Sequence, residues 1–198
     1  MMTQPTLIPD MDRGAILSPC GVYRYALWRI WDKTLPKVTW IMLNPSTADA
    51  EHDDPTIRKC IGFSKQFGYG GFTVLNLFSR RATDPDDLVK WTRVSDDPED
   101  DAIPPPCPLG SDWAVYFNGL NSVREDVICA WGTWIEAFAY RYKTRQSPPF
   151  CNRDKHVLAL IPNCKKYCLG ITKGGFPRHP LYVAYKKPLV PFKPEMVA

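Results

Sequence analysis

The sequence predicts an α/β domain with a mostly parallel central sheet flanked by helices. Two observations predict this. The first is a strand–helix–strand succession with short connections over residues 38–77, the pattern of a βαβ unit. The second is a set of four apolar runs, each ending in polar, chemically useful residues. Lys37–Leu43 runs into Asn44-Pro45-Ser46-Thr47-Ala48-Asp49, and Phe72–Leu77 into Ser79-Arg80-Arg81-Ala82-Thr83-Asp84. Asp126–Ala130 runs into Trp131-Gly132-Thr133, and Tyr167–Ile171 into Thr172-Lys173-Gly174-Gly175-Phe176-Pro177-Arg178-His179-Pro180. In an open parallel sheet the carboxyl ends of the strands share one edge, where ligands bind. Four such runs in one sheet would build one site from distant segments.

The elements follow in order. Val22–Trp31 is rich in aromatic and β-branched residues and reads as a strand. Pro36 marks a turn, and the short apolar run Val38–Leu43 suits a strand covered on both faces. Residues 22–43 are therefore expected to form a hairpin. Asp53-Asp54-Pro55-Thr56 is a helix start, with a capping carboxylate and a proline where no N–H is needed. Ile57, Cys60, Ile61 and Phe63 give that helix an apolar face, and Gly68 is placed to end it. Phe72–Leu77 is the next strand. Helices are expected over Trp113–Val123, Thr133–Arg145 and Asp154–Leu160, strands over Asp126–Ala130 and Lys166–Leu169, and an extended tail after Pro180.

The 198 residues suit one domain, with a core over 20–190 and an acidic, proline-rich insertion at 84–110 expected to be mobile. Hydrophobic content of 44% and charged content of 23% fit an ordinary soluble chain. No apolar stretch is long enough to span a bilayer, and residues 1–19 lack the pattern of a secretory signal, so a cytoplasmic location is expected. The seven cysteines then read as free thiols. Cys151, His156, Cys164 and Cys168 match no compact zinc spacing, so neither a metal site nor a cofactor is assigned. Charge is uneven. Residues 84–101 hold eight acids and two bases, whereas 165–198 hold seven bases and one acid. The basic third suits phosphate or nucleic acid, and equally a solvated surface.

Asn44 offers a paired donor and acceptor to a water or an amide-like edge, with Pro45 stiffening the turn. Ser46 and Thr47 can donate to an anion, or with Asp49 make only local turn bonds. Asp53 and Asp54 exceed what one cap needs, so one is available as a base or cation ligand. Asn76, inside an apolar strand, must bond either to a neighbouring loop or to a ligand. Arg80 and Arg81 can hold phosphate or pair with the acidic insertion. Trp131 and Gly132 end a strand. Lys173 and Arg178 can neutralise phosphate, and His179, fixed by Pro180, can shuttle a proton or stabilise an oxyanion.

Two resemblances rest on these residues. Met42-Leu43-Asn44-Pro45-Ser46-Thr47-Ala48-Asp49, Asp53-Asp54-Pro55-Thr56-Ile57-Arg58, Arg81-Ala82-Thr83-Asp84-Pro85 and Arg178-His179-Pro180-Leu181-Tyr182 are similar to a family of bacterial and phage proteins known as a domain of unknown function. More distantly, the order Asn44-Pro45, Asn76, Trp131-Gly132, His179-Pro180 resembles the uracil-DNA glycosylase superfamily. Met42 stands where that superfamily has glycine, and Leu181-Tyr182 where it often has Ser-Pro. The resemblance implies a three-layer fold. It also implies that Asn44 orients water, Asn76 reads the base and His179 stabilises the departing anion. The expected activity is that of an enzyme on a nucleobase in nucleic acid or nucleotide, by N-glycosidic hydrolysis or a base-modifying transfer. The alternatives are a non-catalytic nucleotide or modified-DNA binding module in phage–host conflict, and a metal-dependent phosphate-ester enzyme using Asp53 or Asp54.

Overall fold

A computed structural model describes residues 11–84, 87, 116–120, 125–134 and 153–193. Seven strands form one sheet: β1 (Asp12–Leu17), β2 (Arg24–Ile30), β3 (Lys37–Met42), β4 (Gly71–Asn76), β5 (Asp126–Cys129), β6 (Lys166–Cys168) and β7 (Val190–Pro191). Helix α1 (Pro55–Gln66) lies between β3 and β4, and α2 (Arg153–Leu160) precedes β6. A 3₁₀ turn spans Pro180–Tyr182.

The sheet order is β1-β2-β4-β3-β5-β6-β7. The four strands β4-β3-β5-β6 are mutually parallel, while β1, β2 and β7 add antiparallel pairings at the two sides. The sheet is thus mixed, with three parallel and three antiparallel pairings, which corrects the expectation of a mostly parallel one. The expected hairpin over 22–43 is also absent. β4 lies between β2 and β3, with Leu27 opposite Val74 on one side and Trp40 opposite Val74 on the other. The physical reason is burial. β3 carries apolar side chains on both faces and is stable only with neighbours on both sides, which β4 and β5 supply in parallel. β1, not singled out in the sequence, pairs with β2 instead.

The βαβ unit β3–α1–β4 forms as its residues dictate. Asp54 caps α1 by accepting from the Ile57 N–H at 2.8 Å, and Pro55 occupies the first turn. Gly68, at φ 82°, takes the left-handed conformation just past the helix end. Val38, Trp40 and Met42 pack on the α1 side with Ile57, Cys60 and Phe63. Ile41 and Leu43 face the other way, with Val157, Ile161 and Phe117. Helical residues therefore cover both faces: α1 on one, α2 and the segment 116–120 on the other. This alternation explains why β3 reads as an unbroken apolar run.

The chain leaves β3 for β4 on one side, while β5 takes the other side of β3. Beyond the carboxyl ends of β3 and β5 the connections therefore diverge, which opens a crevice at a switch point of the topology. The rest of the predicted helix over Trp113–Val123, nearly all of that over Thr133–Arg145 and most of the 84–110 insertion lie outside the described residues. The tail after Pro180 holds the 3₁₀ turn and β7.

Candidate functional site

A cleft of about 560 Å³ opens at that switch point, within the size range of small-molecule sites. Each of the four polar strand ends contributes to it. Asn44, Ser46 and Thr47 come from the loop after β3, and Ala82 and Thr83 from beyond β4. Trp131, Gly132, Thr133 and Trp134 follow β5, and Thr172, Arg178 and His179 follow β6. Asp54 and Thr56 enter from the start of α1, and Arg24 from the start of β2. Apolar walls come from Met42, Leu43, Ile57 and Leu181, and Tyr182 stands at the mouth, 81% exposed.

Asn44 holds two strand ends together. Its Nδ2 donates to the Ala82 carbonyl at 2.7 Å and to that of Pro45 at 3.0 Å. Both amide hydrogens are thereby used, so Oδ1 is the group left to accept from a ligand or water. Pro45 is buried and its carbonyl also accepts from the Ala82 N–H. Arg81 braces the same loop, donating to the Ser46 and Thr47 carbonyls at 3.3 and 3.2 Å and to that of Gly21 at 3.4 Å. It acts as a strut rather than as lining. Asp49 caps its own turn, accepting from the Glu51 and His52 N–H groups, which hold its carboxyl down to about 2.

The two adjacent carboxylates have different partners. Asp53 Oδ1 accepts from Nε of Arg29 at 2.8 Å and closes an ion pair with its Nη2 at 2.7 Å. Arg29 is fully buried, so this ion pair belongs to the fold. Asp54 both caps α1 and lines the cleft. The helix cap is therefore the carboxylate that lines the cleft.

His179 caps the 3₁₀ turn. Its Nδ1 accepts from the Leu181 N–H at 3.4 Å, so in the neutral ring the proton resides on Nε2. Burial pushes its pKa down to about 4, against the opposing pull of Asp54. At neutral pH the cleft thus contains an uncharged imidazole able to donate one hydrogen bond. Gly132 adopts φ 76°, its N–H donates to the Pro177 carbonyl, and a side chain there would approach His179 Cβ. This bond joins the β5 and β6 loops. Arg178 Nε donates to the Ile171 carbonyl at 3.3 Å while the side chain stays exposed. Trp131 is 1% exposed and stacks edge-on with Phe192, and among the described residues its Nε1–H has no acceptor.

Of the residues singled out in the sequence, Asn44, Ser46, Thr47, Asp54, Trp131, Gly132, Arg178 and His179 line one cleft. Pro45, Asp49, Asp53 and Arg81 shape its walls. Arg80 is bridged to Tyr23 at the sheet edge, and Lys173 is exposed on the β6 loop. Asn76 is buried at the end of β4 behind the cleft, its Oδ1 3.5 Å from Arg24 Nη2. Arg24 itself was missed, because an arginine in an aromatic strand reads as an ordinary exposed position. The signal available was a charged residue set among the aromatic and apolar residues of that run.

These features define an α/β protein with a preformed, mostly uncharged cleft at the carboxyl edge of its sheet. The chain belongs to the DUF1643 family, described as a protein of unknown function, whose model matches residues 24–181. That span runs from Arg24 to Leu181 and so includes nearly every residue of the cleft. Comparison with curated proteins and with solved structures found no match. Among the described residues no helix is long and apolar enough to cross a membrane.

Proposed function

We propose that this protein is an enzyme acting on a nucleobase carried by a nucleotide or nucleic acid, through N-glycosidic hydrolysis or a related base-modifying transfer. The observation that carries the reading is the meeting of Asn44, Asp54 and a neutral His179 in one aromatic-walled cleft. Each group suits one task. The Asn44 carbonyl oxygen accepts a hydrogen bond from the attacking water. The His179 Nε2–H donates to a base oxygen or ring nitrogen as negative charge develops there. Asp54 supplies negative charge opposite a sugar centre that becomes cationic. Trp134 and Tyr182 offer faces for stacking. In hydrolysis the water oxygen bonds to the sugar carbon, the carbon–nitrogen bond breaks, its electron pair leaves with the base, and the proton that the water gives up ends on that base. A base held in duplex DNA would have to leave the stack to enter.

The phosphate-ester alternative requires a carboxylate free to bind a cation; the salt bridge to Arg29 engages Asp53 and leaves Asp54, so this alternative predicts metal-dependent activity that Asp54→Asn abolishes. The binding-module alternative predicts ligand affinity without turnover. The test is mass-spectrometric detection of base release or base-mass change. Single- and double-stranded DNA from phage and bacteria, and free nucleotides, would be incubated with the protein, Asn44→Ala and His179→Ala. Release or mass change that both substitutions abolish is the expected outcome. Binding without any chemical change would overturn the enzymatic reading in favour of the module.

A further inference from the structure

Strand β2 carries two buried arginines with different surroundings. Arg29, 0% exposed, is saturated: Asp53 pairs with it, and the carbonyls of Gly14, Trp28, Asp49 and His52 accept its remaining donors. Arg24, 2% exposed, makes two hydrogen bonds, Nη1 to the Ala48 carbonyl at 2.8 Å and Nη2 to Asn76 Oδ1 at 3.5 Å. Among the described residues its Nε has no partner and no carboxylate lies within ion-pair distance. A guanidinium offers five N–H donors in a planar fork, so most of Arg24's capacity is unspent. Burial lowers its pKa to about 10, which leaves it fully charged at neutral pH. Asp54 offsets part of this burial without pairing directly with Arg24, and a buried cation lacking a direct partner is costly to hold, so an anionic ligand group would supply the missing charge.

We propose that Arg24 anchors the anionic group of the ligand, and that this group is a phosphate on the sugar bearing the base. This rests on the nucleobase reading above and deepens it. Arg24 lines the cleft, and its partner Ala48 belongs to the same loop that presents Ser46 and Thr47. Thr56 and Thr83 add hydroxyls to the lining, and Arg178 a second cation. Against these two cations the lining holds one carboxylate, Asp54. Asn76 becomes a positioning residue, its buried carbonyl oxygen orienting the fork from behind.

The test is calorimetric titration of the full chain with inorganic phosphate, nucleosides, the matching nucleoside 5′-monophosphates and short single-stranded oligonucleotides. The expected result is that at least one monophosphate or oligonucleotide binds tenfold or more tightly than its nucleoside. Inorganic phosphate should compete, and the advantage should shrink with added salt. Comparison of monophosphate with oligonucleotide tells a free nucleotide from a strand. Arg24→Met should erase the phosphate advantage and leave nucleoside affinity within about twofold. Arg24→Lys, which keeps the charge without the fork, should retain part of it and covers the case in which the methionine variant does not fold. Equal binding of nucleoside and phosphorylated forms by the native protein would overturn the anion anchor while leaving the nucleobase reading standing. Phosphate binding that Arg24→Lys weakens, with no contribution from any base, would sustain the anchor and overturn the nucleobase reading.

Discussion

Asp53 and Asp54 are neighbours in the chain with separate tasks. Asp53 closes a salt bridge at 2.7 Å onto the buried Arg29, while Asp54 caps α1 through the Ile57 N–H and lines the cleft. The division follows from the helix start. The capping residue must direct its side chain at the first turn, and that turn points toward the strand ends, whereas the residue before it faces back across β2.

Removing Asp53 should therefore act on stability. Asp53→Ala leaves Arg29 as an uncompensated buried charge, a loss of about 3 kcal/mol or more. Urea denaturation compared with the native protein measures it. A change below about 1 kcal/mol would show that the pair contributes little.

Asp54 should separate into cap and charge. Asp54→Ala should cost about 1 kcal/mol, because the Ile57 N–H loses its acceptor. Asp54→Asn keeps an acceptor and should stay within about 0.5 kcal/mol of the native protein, yet on the proposed enzymatic reading lose turnover because the cleft loses its carboxylate. Equal activity of the asparagine variant and the native protein would remove Asp54 from the chemistry.

His179 gives a pH signature. Its folded pKa, about 4, lies below the ordinary histidine value of about 6.5, so the unfolded chain binds the extra proton first. The contribution to stability is complete above about pH 6.5 and falls away as pH drops toward 4. Denaturation of the native protein and His179→Gln at pH 7.5 and pH 4.5 should show the variant less sensitive to acid. On the proposed enzymatic reading, turnover should not show a histidine step near pH 6.5, and one there would mean that the imidazole is charged during the reaction.

Gly132 tests the link between two loops. A side chain at φ 76° is strained, so Gly132→Ala should cost about 1 kcal/mol or slightly more. The added carbon would stand 3.5 Å from His179 Cβ, an ordinary contact, so any loss of activity should come from backbone relaxation at the strained position that carries the His179 loop with it. Thermal unfolding and a rate measurement on one preparation would separate the two effects. Activity at the native level would mean that the His179 loop tolerates the shift.

Much of the architecture was legible because it rests on local rules. The cap at Asp54, the proline after it, Gly68 at the helix end and the alternating faces of β3 are each written within a few residues. The polar ends of four apolar runs were legible for the same reason. What could not be read was which strands pair. The hairpin expected over residues 22–43 supposed that neighbours in sequence are neighbours in the sheet, and β4 takes the place between them.

The site divides along the same line. The chemical inventory, Asn44, the Asp53-Asp54 pair, Trp131-Gly132 and Arg178-His179, was determined by the sequence, since side-chain chemistry belongs to the residue. Which of those groups face a ligand was decided by tertiary structure. Packing turned Asp53 toward Arg29 and Arg81 toward loop carbonyls, and it placed Asn76 behind Arg24. It also made Arg24, an unremarked residue at the start of a strand, a buried cation in the cleft wall. Burial and the supply of counter-charges arise only when distant segments meet, and no local pattern encodes them.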